Sequence, residues 1–495
     1  MIKVFSSEQI RKWDEFTIKN EPITSFDLME RASNAFVEQF LIQFPEKRRI
    51  RIFCGIGNNG GDGLAIGRIL KEKGWEVLKY IVGNPKDGSE DFKKNLDQSD
   101  LYAVLKKKEE FPELLGDDIV IDGLFGTGLS RPLDGLNKLV VEYINASKAY
   151  KVSIDIASGL FVDKPLDPGQ VAIMPATTIS FQLPKLPFFL PEYYQYVGDW
   201  KLVDIRLHPD YLRHESSGFF YLQHSDMKGL IPRRQKFTHK KEVGSLSVVA
   251  GSKGKMGAAV LCARAALVAG VGLLNVYSPA CGSTILQIAV PEAMVFEDPE
   301  EAWISRIPKV SETVIIGPGL ATESETLRAF EDFLRKTEHP IVLDADALNL
   351  LAKKKSLLRQ LPKNSILTPH PGEFRRLVGP WKNDFEKLEK LGVLCKKFQI
   401  NVVLKGAYSV VCDARGDMYF NSSGNPALAT AGSGDVLAGV AGSFLAQGLE
   451  PTVALQIAVF VHGMAGDLAV EEEQTHSIIA SQIIKFLPKA VKECL

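Results

Sequence analysis

One alternation runs through this chain twice. Short runs rich in β-formers end in glycine or an acid, and each is followed by a longer stretch with helical spacing. The pattern predicts strands at Arg51–Cys54, Glu76–Val82, Ile119–Ile121, Lys151–Ile154 and Trp200–Ile205 in the first half. Residues 8–44 read as helices, with Ile23, Phe26, Leu28, Met29 and Ala32 near helical spacing. In the second half strands are predicted at Ser245–Ala250, Val314–Gly317, Ile341–Leu343, Ser365–Leu367, Val402–Leu404 and Ser409–Cys412, before a helix-rich end over 434–491. Strands alternating with helical crossovers form α/β folds. A length of 495 residues accommodates two or more such domains. The seam falls near 207–226, a polar stretch without a period that carries Pro209 and the break Ser216-Ser217-Gly218. The expected domains are therefore 1–215 and 226–495.

Composition excludes several classes. With 45% apolar and 24% charged residues, the chain is neither disordered nor a disulfide scaffold. Lys and Arg number 59 against 60 Asp and Glu, so the basic excess of a non-specific nucleic-acid binder is missing. Cys54, Cys262, Cys281, Cys395, Cys412 and Cys494 show no CxxC spacing, which fits reduced thiols in a cytoplasmic enzyme. The charged start MIKVFSSEQIRKWDEF has no apolar core of the signal-peptide kind. The apolar run Ala258–Tyr277 is interrupted by Arg264 and reads as a buried helix followed by a strand, not a membrane span.

Chemistry concentrates at strand ends. Phe53-Cys54-Gly55-Ile56-Gly57-Asn58-Asn59-Gly60-Gly61-Asp62-Gly63 follows a strand and precedes a helix expected at Leu64–Glu72. Glycines admit a ligand close to the backbone, and a helix N-terminus offers free N–H groups to phosphate. Gly55–Gly60 also matches the dinucleotide fingerprint of a Rossmann dehydrogenase. That fold wants an acid at the end of its second strand, about 20 residues on; here the strand ends Ile81-Val82-Gly83-Asn84, and Glu76 sits at its start. A tight strand-to-helix turn is the plain alternative. Asp122, before the second glycine loop Gly123–Leu129, and Asp155, before Ile156-Ala157-Ser158-Gly159, close two further strands. Asn59, Asp122, Asp155 and Ser158 could meet in one crevice and supply oxygen to a hard cation, or each acid could simply cap a helix.

In the second half, Thr430-Ala431-Gly432-Ser433-Gly434-Asp435 opens an apolar helix. Its amides can converge on phosphate oxygens, and Asp435 can take a proton from a hydroxyl attacking that phosphate. A surface acid favouring the helix dipole is the alternative. Asp344 and Asp346 could bind Mg²⁺ through water or cap the next helix. Lys185 reads as solvated or as a phosphate contact, Lys106–Glu110 as a solvated face, and Phe188-Phe189-Leu190-Pro191 as core or subunit interface.

GNNGGDG, IDGLFGTG and IDIASG, in this order, resemble the NAD(P)HX epimerase family over most of 1–210. That family interconverts the R and S forms of a nicotinamide cofactor hydrated at C6. The resemblance implies substrate contacts from Asn58, Asn59, Gly60, Gly61 and Asp62, and from Gly126, Thr127, Gly128, Leu129, Ser130, Arg131 and Pro132. It implies Asp155 as acid/base and a potassium ion on Asn59, Asp122 and Ser158. The family usually has a proline where this chain has Ala157.

The GSGD of Gly432–Asp435 resembles the ribokinase-like superfamily. With Val249–Ala258, Ile316–Leu320, Val342–Asn349, Leu367–Glu373 and Leu404–Ser409, it looks like the ADP/ATP-dependent NAD(P)HX dehydratases over nearly all of 227–495. This implies Asp435 as base and Ala431, Gly432, Ser433 and Gly434 as the anion hole. Lys405, Gly406, Ala407, Tyr408, Ser409 and Gly434 would hold the nucleotide, and Ala258, Gly319, His370 and Asp435 would contact the hydrate. The expected fold is a Rossmann-like three-layer domain followed by a ribokinase-like α/β domain. The expected activity repairs NADHX and NADPHX, with ADP as donor, Mg²⁺ accompanying the nucleotide, and AMP and phosphate released. A cytoplasmic homo-oligomer without nucleic-acid or membrane partners is implied. The rivals are a ribokinase-like vitamin or sugar kinase with an accessory N-terminal nucleotide-binding domain, and a non-catalytic N-terminal nucleotide sensor.

Overall fold

Strands in both halves are buried on both faces: Ile119–Gly123 and Asn401–Leu404 are covered at every position. Parallel strands flanked by helices require this. The computed structural model describes residues 1–308, 310 and 313–495. Its chain divides into one unit of Lys3–Ser217 with Asn383–Phe385, and another of Met1–Ile2, Gly218–Lys382 and Glu386–Leu495.

The sheet of the first unit runs Tyr102–Leu105, Val77–Val82, Ile50–Cys54, Ile119–Gly123, Tyr150–Ile154, Thr177–Phe181, Asp199–Val203, all parallel. The chain steps outward from Ile50–Cys54 in one direction, then returns to Ile119–Gly123 and steps outward in the other. That reversal opens a crevice beyond the carboxyl ends of these two strands, where open α/β sheets bind ligands.

The helix entering this crevice is Asn58–Glu72, six residues longer at its start than the pattern predicted. Gly60 and Gly61 thus belong to its first turn, not to a loop. A Cβ on Gly60 would lie 1.7 Å from the Gly55 carbonyl oxygen, and one on Gly55 would lie 2.0 Å from that of Leu124. Three backbone segments cross in contact, so the glycines are dictated by packing as well as by ligand access.

The seam is more structured than its composition suggests. It holds the helix Pro209–His214, the strand Phe219–Tyr221 and the helix His224–Met227. Phe219–Tyr221 pairs with Met418–Phe420, far along the chain, so no local period announces it. Lys106–Glu110 is exposed, as expected of a solvated face.

From Phe219–Tyr221 the second sheet continues through Met418–Phe420, Val410–Cys412, Asn401–Leu404, Ile366–Leu367, Ile341–Leu343, Thr313–Ile316, Ser245–Val249, Leu273–Pro279 and Met294–Asp298. Only Val410–Cys412 runs antiparallel to its neighbours here. The direction of winding reverses between Ser245–Val249 and Thr313–Ile316, so this unit also has a crevice beyond its strand ends. The apolar run after Ala258 resolves into the helix Met256–Val268 and the strand Leu273–Pro279, as expected. One helix, Pro451–Glu473, is long and apolar enough to cross a membrane by length and composition; 72% of its most apolar window is buried within the protein.

Small residues bring the helices Met256–Val268 and Ser433–Ala446 together. A Cβ on Gly439 would meet the Cys262 carbonyl oxygen at 2.3 Å, and one on Gly442 would meet Ile315 Cδ1 at 2.4 Å. Overfilling such a contact costs on the order of 1–3 kcal/mol. Gly439→Leu should therefore lower the thermal unfolding temperature of the second unit measurably, by calorimetry; an unchanged transition would contradict the close helix contact.

Candidate active sites

In the first unit the backbone itself is strained at one of the expected site residues. Asp155 follows the strand Tyr150–Ile154 with φ of +64°, a conformation costing a non-glycine residue about 1–3 kcal/mol. Neighbouring groups hold it there. Its N–H donates to the Ile179 carbonyl at 2.8 Å, and its Oδ1 accepts from the Phe181 amide at 2.9 Å and the Ser180 hydroxyl at 3.2 Å. Lys185 forms an ion pair with the same carboxylate. Its Nζ also donates to Ser180 Oγ at 2.8 Å and to the Phe181 carbonyl at 3.0 Å.

Lys185 is only 1% exposed, which overturns its reading as a solvated lysine. The signal was present in its surroundings: Leu183-Pro184-Lys185-Leu186-Pro187-Phe188-Phe189 offers water no other polar side chain. Phe188, Phe189 and Leu190 are likewise buried, so that segment is core of the unit.

A cavity of about 1060 Å³ opens above Asp155. Asn58, Asn59, Asp62, Gly126, Thr127, Gly128, Leu129, Ser130, Arg131 and Pro132 line it, together with Lys185 and with Asp14 from the helix Ser7–Asn20. Gly60 and Gly61 lie beneath the wall and support it. Asp62 is pushed well above the usual carboxylate range, first by burial and then by the nearby Asp155 and Asp14.

Asp122 and Ser158 sit deeper. Asp122 is fully buried and accepts from Ser158 Oγ at 2.5 Å, the Ser158 amide at 2.9 Å and Ser153 Oγ at 2.9 Å. Burial still raises its carboxyl above the usual range. Asn59 presses its Oδ1 against Gly126, where a Cβ would come within 3.3 Å, and its amide nitrogen is buried without a hydrogen-bond partner. Among the described residues no cluster of three or more His, Cys, Asp or Glu could hold a metal ion. Oxygen donors around one uncompensated buried carboxylate suit a singly charged hard cation.

In the second unit, Gly432 adopts φ of +86° and starts the helix Ser433–Ala446. Among the described residues, the amides of Ala431, Gly432, Gly434 and Asp435 donate to nothing, while that of Ser433 reaches Thr430 O at a long 3.4 Å. This leaves several donors at the positive end of the helix dipole, a ready anion site. Lys405, at the end of Asn401–Leu404, places its Nζ where a Cβ on Gly434 would come within 3.1 Å. It also pairs with Asp344 at 3.0 Å, whose Oδ1 accepts from Thr368 Oγ1 at 2.6 Å. Burial, reinforced by Asp344 and opposed by Lys405, pushes Asp435 up to about 7.

Other expected residues fall around this point. Ala258 and Gly319 are adjacent, since a Cβ on Gly319 would lie 3.2 Å from that of Ala258. Gly406 and Ser409 close a tight turn, with Ser409 Oγ accepting from the Gly406 amide at 3.2 Å; Gly406 and Ala407 are exposed and Tyr408 is half-buried. His370 caps the helix Pro371–Val378, accepting from the Gly372 amide at 3.0 Å, with its ring exposed. Asp346 accepts from the Ala321 amide at 2.9 Å and pairs with Lys255 at 3.2 Å.

Sequence reasoning passed over His462. It lies buried within the helix Pro451–Glu473, and its Nε2 is 3.0 Å from the Ser433 carbonyl and 3.2 Å from Ser433 Oγ. Burial lowers its imidazole to about 4, so it is neutral and buttresses the start of the helix Ser433–Ala446. A lone histidine in an apolar helical stretch carries no local mark of that task.

Comparison with known proteins decides the family. Residues 246–489 match the family model described as NAD(P)H-hydrate dehydratase, and residues 25–186 match that of the YjeF-related protein N-terminus. A bifunctional NAD(P)H-hydrate repair enzyme of Moorella thermoacetica is 33% identical over 98% of this chain and 96% of its own. One from Thermofilum pendens is 35% identical over 99% and 96%. The chain belongs to the bifunctional NAD(P)H-hydrate repair enzymes. The ADP/ATP-dependent NAD(P)H-hydrate dehydratase of Bacillus subtilis, co-crystallised with ATP and Mg²⁺, is 29% identical, with a TM-score of 0.50 over 56% of this chain and 99% of its own. The second unit thus has the ribokinase-like α/β fold. Repair-family membership along the whole chain removes the dehydrogenase and the vitamin or sugar kinase as readings.

Removing one partner of a buried ion pair typically costs about 3–5 kcal/mol. Lys185→Met should destabilise the epimerase half by that order in denaturant unfolding. Unchanged stability would show that the Asp155 carboxylate does not depend on this cation.

Proposed function

We propose that residues 1–215 interconvert the R and S hydrates of NADH and NADPH, and that residues 226–495 dehydrate the S form with ADP as phosphoryl donor. The observation that carries this reading is the set of unbonded amides leading into Asp435 beside Lys405. A phosphate is the ligand these groups complement. An acid so near that phosphate is explained if it serves a hydroxyl that attacks it.

In the dehydratase, Ala431–Gly434 hold the terminal phosphate, and Lys405–Ser409 with Gly434 hold the rest of the nucleotide. Ala258, Gly319 and His370 position the hydrated ring. Asp435 accepts the C6 hydroxyl proton as that oxygen bonds to phosphorus and the bridging bond to AMP breaks. The ring nitrogen's lone pair then expels phosphate from C6, and solvent takes the C5 proton, which restores the dihydronicotinamide. Magnesium bound with the nucleotide would neutralise charge on its phosphates. The fused two-domain layout supports ADP as donor.

In the epimerase, Asp155 is the acid/base at C6, and Asn58–Asp62 and Gly126–Pro132 enclose the substrate. Asn59, Asp122 and Ser158 would hold a potassium ion, which supplies the positive charge that the buried Asp122 lacks. The two activities are complementary: one consumes only S hydrate, and the other replenishes it from R.

Asp435→Asn should abolish nucleotide-dependent recovery of NADH from its hydrate while R/S exchange survives, and Asp155→Asn should do the reverse. Restored dihydronicotinamide absorbance and chromatography of the two hydrates measure these. A variant that keeps its own reaction at the wild-type rate would refute that assignment. A base must be ionised to act, so dehydratase kcat/KM should rise about tenfold per pH unit up to about 7 and then level off, following Asp435. A profile flat from pH 5 to 8 would contradict its role.

A further inference from the structure

Asp14 has no place in the reaction as described above, yet it lines the epimerase cavity with Asp155 and Lys185. It lies on the helix Ser7–Asn20, outside the segment matched by the family model. That helix is firmly seated. The indole N–H of the adjacent Trp13 donates to the His208 carbonyl at 2.8 Å, its ring stacks on Tyr211 at 6.0 Å, and Thr17 Oγ1 accepts from the His208 amide at 3.0 Å. Asp14 itself has no hydrogen-bond or ion-pair partner among the described residues. A carboxyl group fixed at a cavity wall and left unpaired has its hydrogen-bonding capacity free for what enters.

Its electrostatic setting matches a proton carrier. Burial is the main force raising it to about 7, the Asp155 charge adds to this, and Lys185 opposes it. Other titratable or charged groups around it are Glu8, Arg11 and Glu15 on its own helix and Asp62 and Arg131 in the cavity lining. Lys185 is committed to Asp155, so Asp14 is the carboxyl group of the two that has no cation of its own.

Inversion at C6 must break one bond to that carbon and remake it from the opposite face. We infer that Asp14 is the second acid/base of the epimerase, sharing one proton with Asp155 across the hydrated ring. The inference rests on the epimerase reading above. One carboxylic acid protonates the C6 hydroxyl. The C6–O bond breaks, water departs, and the ring nitrogen's lone pair forms a C6–N double bond carrying the positive charge. A water molecule on the other face adds its oxygen to C6 and gives its proton to the other carboxylate. The reverse inversion exchanges the two roles, so one protonation state of the pair serves both directions.

The test measures R/S exchange of purified hydrate by the full chain without nucleotide, in ¹⁸O-enriched water. Wild type should exchange the C6 oxygen with solvent at each inversion, and its kcat/KM should fall above about pH 7 as the shared proton is lost. Asp14→Asn should slow exchange by about 100-fold or more and lose that alkaline limb. It should still bind the hydrate by calorimetry, and Asp14→Glu should recover part of the rate. Exchange by Asp14→Asn within about threefold of wild type, loss of hydrate binding together with rate, or inversion that retains the original oxygen would each overturn the inference. If the wild-type chain itself does not exchange R and S, the epimerase reading fails instead.

Discussion

Each crevice of this enzyme gathers several carboxyl groups, and a lysine in each pairs with one of them and leaves another without a cation. Lys185 pairs with Asp155 while Asp14 and Asp62 share its cavity. Lys405 pairs with Asp344 while Asp435 stands at the start of the neighbouring helix. Carboxylates crowded together in low dielectric cannot all be charged. Burial raises Asp14 and Asp435, which have no ion-pair partner among the described residues, to about 7, where proton transfer is efficient. Both sheets supply this arrangement by the same means, because a parallel sheet gathers strand ends, and the side chains just beyond them, around the point where its winding reverses.

Much of this was legible from the residues. The strand-end acids Asp122 and Asp155 and the small residues before Asp435 stand in the chain where the fold needs them, and strand–helix alternation marked both sheets. The hidden parts depended on distant partners. Met418–Phe420 and Phe219–Tyr221 are short strands that complete each other across the chain. The early start of the helix Asn58–Glu72 depends on backbone contacts with Gly55, and through it Leu124, which no local propensity encodes.

The overlooked functional side chains follow the same logic. Lys185 looks like any lysine until its apolar flanks are folded around it. His462 acts by holding Ser433, a residue on another helix. Asp14 sits in an amphipathic helix whose other charged residues are exposed, and only its partial burial in the cavity wall distinguishes it from them. Sequence announces chemistry carried by a contiguous motif. It is silent where a single side chain is recruited by the tertiary fold.

The central claim is that each crevice holds an aspartic acid still protonated near neutrality, and carboxyl-carbon NMR of the full chain labelled with ¹³C-aspartate measures this directly. The account requires signals titrating near pH 7, one of which disappears in Asp14→Asn and another in Asp435→Asn. If every aspartate signal titrates below about pH 5, the ordinary range for this side chain, the two crevices are wet and the account is wrong.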